Sequence, residues 1–387
     1  MLTTTVQVSD PRGRMLLLAA MLFMLVPMPA PAESGAPDLW QTLIEAGATA
    51  REHARYADAE RLFLLAGHEA SQFDSNDARI AATFNHLGLV YHAQGQYGRA
   101  KPYYEQALAR WEQALGSESA DVASALNNLA EVLLEENDLE QAERYYLRSL
   151  AIGERVLGAG HPELAVAYNN LAGIYRKQGR VAQAEAKFRL ALAILEGARD
   201  ASSVDPAPIL NNLAALYKER GLYVYAEPLY RQALALRRAQ FGPRHPAIAI
   251  VLNNMANLCH TQGLVEDADR YYREALAVSE ETAGPEGALT GTILGNWAWL
   301  IHERGLLDEA QFRYQRALVI QQQALGKDHP VVAMILDGYA GLLRERGQDL
   351  EARHFAARAA AIRAGQRASS RGARQVQPDV TSQEAPP

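Results

Sequence analysis

The apolar positions of this chain fall into two helical patterns that alternate along most of its length. In residues 166 to 200, Tyr168, Leu171, Ala172 and Tyr175 recur at i, i+3, i+4 and i+7, which is one face of an α-helix. Gly179 follows, and glycine enters the left-handed conformation that ends a helix without steric cost. A second apolar face then comes from Ala184, Phe188, Ala191 and Leu192. Alanine is small where two helices cross, and the aromatic fills the space beside it, so the segment predicts a helix pair. The turn residue recurs at Gly95, Gly179, Gly221, Gly263, Gly305 and Gly347, always at one fixed interval or a multiple of it, with Asn137 in the remaining register. An alanine stands five positions later in every unit, from Ala100 to Ala352. An aromatic comes four further on, from Tyr104 to Tyr314, and fails only at Ala356. A period near forty without insertions predicts a stacked repeat array, in which each unit buries its apolar face against its neighbours.

The array has weaker ends. Leu43, Gly47, Tyr56, Ala59, Phe63 and Ala66 keep the pattern one position out of register, so residues 33–79 read as a divergent first unit before seven clean units over 80–364. After Ala364 the periodicity stops, and residues 365–387, rich in Arg, Ser, Gln and Pro, read as a disordered tail. At the start, Arg12 and Arg14 precede an apolar run from Met15 to Val26, then Pro27 and Ala30-Pro31-Ala32. A positive region, a short apolar stretch and a small-x-small site make residues 1–32 a secretory signal. The protein is then exported, with the periplasm as the expected compartment. An uncleaved N-terminal tether is the alternative, although the apolar run is short of the roughly 20 residues of a permanent span.

Three of the links between units read Leu/Phe-Gly followed by His-Pro: Leu157-Gly158 with His161-Pro162, Phe241-Gly242 with His245-Pro246, and Leu325-Gly326 with His329-Pro330. Proline suits the first turn of the next helix. Asn127-Asn128-Leu129-Ala130, Asn169-Asn170-Leu171-Ala172 and Asn211-Asn212-Leu213-Ala214 open the core of three first helices, and Asn253-Asn254-Met255-Ala256 nearly repeats them. With these features the unit resembles the tetratricopeptide repeat, in the 42-residue form of the kinesin light chains. The match is strong over about 80 to 364 and weak over 38 to 79. The resemblance implies an all-α fold, an α-solenoid wound as a right-handed superhelix of seven to eight helix-turn-helix units. The N-terminal coiled coil of a kinesin light chain is missing, so the cargo-adaptor role does not transfer.

Composition and charge narrow the chemistry. A formal charge of −7 argues against nucleic acid as the main partner. Cys259 is the sole cysteine, which excludes an internal disulfide, and its register makes it a packing residue. His161, His245 and His329 lie two full periods apart, so four helices separate neighbours. At 8–10 Å per packed helix that is roughly 20 Å or more, too far to share a metal ion, so capping or packing is the better reading. No phosphate loop, His-Glu-x-x-His or Gly-x-Ser-x-Gly is present. No catalysis, cofactor or metal is expected, and no stable membrane insertion of the mature chain.

In the family that the chain resembles, first helices line the concave face, so residues there that turn away from the partner helix project into a groove. Ten positions before the turn stand Asn85, Asn127, Asn169, Asn211 and Asn253, then Gly295 and Asp337. The amides suit the alternating backbone groups of an extended peptide; hydrogen bonding between neighbouring helices is the other reading, favoured for the adjacent Asn128, Asn170, Asn212, Asn254 and Asn296. Three positions before the turn come His92, Leu134, Arg176, Lys218, His260, His302 and Arg344. This strip fits an acidic or carboxylate-bearing ligand, and equally cations complementing helix ends. Six positions before it, Trp299 stands out among Leu89, Glu131, Gly173, Ala215, Asn257 and Gly341 as an aromatic anchor. The expected site is therefore a peptide groove formed by Asn127, Asn169, Asn211, Asn253, Arg176, Lys218, His260 and Trp299. The partner is a protein or peptide segment. The alternative is a scaffold for cell-envelope complexes acting through the convex face or the array ends, where incompletely capped units also allow self-association.

Overall fold

The computed structural model describes residues 38–53, 55–198 and 204–375. The signal segment expected over 1–32 and the stretch 376–387 lie outside them. The described residues form sixteen α-helices, which pair in chain order. The pairs are α1 (Leu39–Glu52) with α2 (Tyr56–Ala70), α3 (Ala78–Ala93) with α4 (Tyr97–Leu115), α5 (Ala120–Glu135) with α6 (Leu139–Leu157), and α7 (Leu164–Lys177) with α8 (Val181–Gly197). They continue with α9 (Ala207–Glu219) and α10 (Tyr223–Phe241), α11 (Pro246–Thr261) and α12 (Val265–Thr282), α13 (Ala288–Glu303) and α14 (Leu307–Leu325), and α15 (Pro330–Glu345) and α16 (Asp349–Gln375). Odd-numbered helices are the first of each pair. Each packs on its partner, and each second helix packs on the next first helix, so the chain is an α-solenoid of eight units.

The turn that closes each pair follows from its sequence. Asn137 and the six turn glycines hold φ between 60° and 74°. In that conformation the amide of the following residue reaches back to the carbonyl of the helix, as Arg180 does to Tyr175 at 2.8 Å and Leu264 to Cys259 at 2.9 Å. The last carbonyls of the first helix are thereby satisfied within the turn. Cys259 keeps its thiol half-buried there, and burial pushes its pKa up to about 11, which makes it a poor nucleophile.

The repeated alanine and aromatic are the core. Ala100, Ala142, Ala184, Ala226, Ala268 and Ala310 are fully buried, as are Tyr104, Phe188, Tyr230 and Tyr272 beside them. The divergent first unit uses the same geometry: an added Cβ on Gly47 would meet the Phe63 ring, as one on Gly88 would meet Tyr104. Gly47 and Phe63 keep the separation of Gly88 and Tyr104, so the whole first unit is displaced together by one position from the period. It docks through Trp40, whose indole donates to Thr83 Oγ1 at 2.9 Å, and through Arg79, which bonds Asp38 and Asp77 and lies 3.4 Å over Phe73.

At the other end α16 continues to Gln375, past residue 365, where the sequence predicts the start of a tail. The periodicity does stop there, but Arg, Ala and Gln dominate the extension and the first proline is Pro378, so local propensity carries the helix on. The links also answer to local chemistry. His245 and His329 cap α11 and α15, each Nδ1 accepting a backbone amide at 3.2 Å, and His161 accepts from Glu163 at 3.4 Å.

Candidate binding face on the first helices

First helices of neighbouring units touch at α1–α3, α7–α9, α9–α11, α11–α13 and α13–α15, and no pair of second helices among the described residues approaches to the same degree. The stack therefore closes on the side of the first helices, which line the inside of the curve. Positions three, six, ten and thirteen before the turn share one helical face. On α7 that face carries Val166, Asn169, Gly173 and Arg176; on α9 Pro208, Asn211, Ala215 and Lys218; on α11 Ile250, Asn253, Asn257 and His260; on α13 Thr292, Gly295, Trp299 and His302.

The asparagines pair with one another. Asn128 donates to Asn85 Oδ1 at 2.8 Å, Asn212 to Asn169 at 3.0 Å, Asn254 to Asn211 at 2.9 Å and Asn296 to Asn253 at 3.0 Å. Each bond joins one unit to the next, between positions 43 apart. Asn170 breaks the series and turns its amide to the Tyr146 hydroxyl. The carbonyl oxygens of Asn85, Asn169, Asn211 and Asn253 are thus engaged in stacking. Asn253 is buried, whereas Asn127, Asn169 and Asn211 keep part of their surface. Asn127 bonds Glu131 Oε1 at 3.3 Å. The gap after Asn253 is a matched loss: Gly295 stands where the acceptor would be and Gly338 where its donor would be. Side chains there would press on Ile335 and on the Tyr314 hydroxyl.

The basic strip is mostly answered from within. Arg176 pairs with Glu219 at 3.2 Å, His260 with Glu303 at 2.8 Å and His302 with Glu345 at 3.2 Å, each carboxylate in the register that the asparagine bonds also join. Lys218 has Thr261 in that register and makes no ion pair among the described residues. Burial lowers its pKa, opposed by Glu219 and reinforced by Arg176. Glu131 mirrors it: burial raises its pKa, the Asn127 amide relieves this, and Glu135 adds to it. Trp299 is 56% exposed and stands edge-on to His260, ring centroids 6.0 Å apart. Between Glu131 and Trp299 the row is lowest at Gly173, where an added Cβ would touch nothing within 4 Å, and Ala215 follows before Asn257, which accepts from the Tyr272 hydroxyl.

Four expected residues, Asn169, Arg176, Asn211 and Lys218, come together on α7 and α9. Asn127 lies one unit earlier on α5, His260 and Trp299 form a separate aromatic edge, and Asn253 is buried in the packing. An apolar margin absent from the expected site stands thirteen positions before the turn, where Val166, Pro208, Ile250 and Met334 are exposed. Extending the same helical face by one more turn finds it. Among the described residues no group of His, Cys, Asp and Glu could hold a metal ion.

The family model described as Tetratricopeptide repeat matches residues 79–154, 121–197, 205–281 and 289–364. Among solved structures, the chain is similar to the apo form of RapI, 16% identical over 73% of this chain and 98% of that one, with a TM-score of 0.55. It is similar to a Rap protein complexed with Competence and Sporulation Factor, 14% identical over 85% and 97%, TM-score 0.54. The TPR-like repeats of a putative kinesin light chain from Podosopora anserina are 20% identical over 54% and 98%, TM-score 0.45. No curated protein matches the sequence.

Proposed function

The chain belongs to the tetratricopeptide repeat family, whose model covers well over half of it, and from that premise we propose that it binds an extended protein or peptide segment along its first helices. Arrays of this family are generally non-enzymatic interaction scaffolds. The observation that carries the reading is the open floor at Gly173, continued by the small Ala215 and framed by exposed apolar Val166 and Pro208 on one side and by Arg176 and Lys218 on the other. A segment laid there reaches helix backbone closely, with the amides of Asn169 and Asn211 beside it. Residues 1–32 support a periplasmic setting, and no helix among the described residues is long and apolar enough to cross a membrane.

The scaffold reading has its own observation: Val224, Tyr225 and Phe312 stand exposed on second helices, on the outer side of the stack. One experiment separates the two. Gly173→Leu puts a side chain where an added Cβ meets nothing within 4 Å and replaces a mid-helix glycine, so stability is expected to hold or rise by up to about 1 kcal/mol. Peptides selected on the full chain from a displayed random library lose binding to Gly173→Leu and keep it to a Val224→Ser, Tyr225→Ser, Phe312→Ser variant. The opposite pattern overturns groove binding in favour of the outer face.

A further inference from the structure

From α3 to α13, charge on the concave face is answered from one unit to the next with two half-buried exceptions among the described residues; Arg344, on the last first helix, is exposed. Arg176, His260 and His302 each meet a carboxylate of the following unit, and Glu135 acts on His92 in the same way. Among the described residues Glu131 on α5 meets no cation and accepts from the Asn127 amide. Lys218 on α9 faces Thr261 where the other units offer an acid. Its nearest acid, Glu219, already holds Arg176. Both groups are half-buried, and neither forms an ion pair among the described residues; Lys218 has only a carboxylate that it shares with Arg176, so each has given up hydration for little in return, which is costly for an ion. The open floor at Gly173, continued by the small Ala215, lies between them.

Resting on the groove reading above, we infer that the bound segment carries a cationic group and a carboxylate about six positions apart, the cation on Glu131 and the carboxylate on Lys218. The spacing follows from the stack. From α5 to α9 is two units along the stack; α7 and α9 touch directly, while α5 reaches α7 through α6. At about 10 Å per unit the span is roughly 20 Å, and an extended chain rises about 3.3 Å per residue. An acidic segment without a cation leaves Glu131 unanswered, and a basic one leaves Lys218 unanswered. The Asn169 and Asn211 amides lie along the path between the two charges.

The test uses the full chain and peptides selected from a displayed random dodecapeptide library, keeping those that Gly173→Leu no longer retains. These groove binders are expected to be enriched in a Lys or Arg and an Asp or Glu separated by about five to seven positions. A selected peptide is expected to lose about tenfold or more in affinity on Glu131→Gln or Lys218→Met, as befits a charge-assisted hydrogen bond. The exchanged variant, Glu131→Lys with Lys218→Glu, is expected to bind the peptide with its own two charges exchanged and to reject the original. Thermal unfolding of the single variants is expected to stay level or improve, since each removes an unanswered charge. If either variant lowers the midpoint instead, the charge-exchange rescue decides alone. Groove binders without the charge pair, or indifferent to both single variants, overturn this inference and leave groove binding standing. A library that yields no Gly173-dependent binder overturns groove binding, and this inference with it.

Discussion

His86 occupies the register that holds asparagine in the following five units, and it faces the divergent first unit. Its ring stacks on Phe63 at 5.0 Å, and its Nδ1 is enclosed without a partner. Burial, with Arg51 adding to it, pushes its pKa down to about 4 from an ordinary 6.5. In the folded protein the ring stays neutral down to about pH 4, whereas in the unfolded chain it takes up a proton near 6.5. Stability from this group is therefore complete above about pH 6.5 and is lost as the pH falls towards 4, by about 3 kcal/mol in all. Burial lowers the capping His245 and His329 as well, so they act in the same direction. Thermal unfolding followed from pH 7 to 4 is expected to show a steeper decline for the native chain than for His86→Phe. An equal decline in both assigns the acid sensitivity elsewhere. At this scale the sequence is half legible: the registers of Cys259 and the link histidines mark packing and caps, while the environment of His86 depends on which residue of a displaced unit lies opposite.

Between elements, the asparagines are the ambiguous residues, and their bonds show why. A ladder followed along one register keeps the repeat period, whereas the bonds and ion pairs join positions one further apart, because a helix packs against the next copy with its faces slightly offset. The sequence holds that relation, since the Arg176 and His302 registers meet Glu219 and Glu345 in the neighbouring column, but following a single register separates the two columns. Asn212→Ala removes the donor to Asn169 and is expected to cost about 1 kcal/mol in urea unfolding. A variant pairing Asn169→Ala with Asn212→Ala should cost less than the sum of the two single changes, since neither partner is then left alone. Strict additivity would mean the bond contributes nothing. Trp299 is legible because it is the one aromatic in its column, and its side chain is exposed.

For the whole molecule, the fold is legible almost entirely, from the turn residues, the alanines and the aromatics, because the stacking that these residues provide is the architecture. The end of α16 is not, since the repeat period stops before it and only local propensity marks it in the sequence. In an array whose units hold only their neighbours, the first pair protects the rest. Trp40, Ile44 and Phe63 cover Leu87 and Val90 of the next unit. A chain beginning at residue 78 exposes that face and is expected to unfold roughly 5–10 °C lower by calorimetry. An unchanged midpoint would show that α1 and α2 are ornamental to stability. The offset bonds carry one more consequence. The units of α9 and α11 each present a donor towards their predecessor and an acceptor towards their successor, so the boundaries from α7 to α13 are built alike. A copy or loss of one whole period, begun at any point within it, rejoins compatible surfaces, while any other length breaks both. Gly295 and Gly338 fall on the two sides of the next boundary, so a single seam, and not a single repeat, is what departs from the pattern.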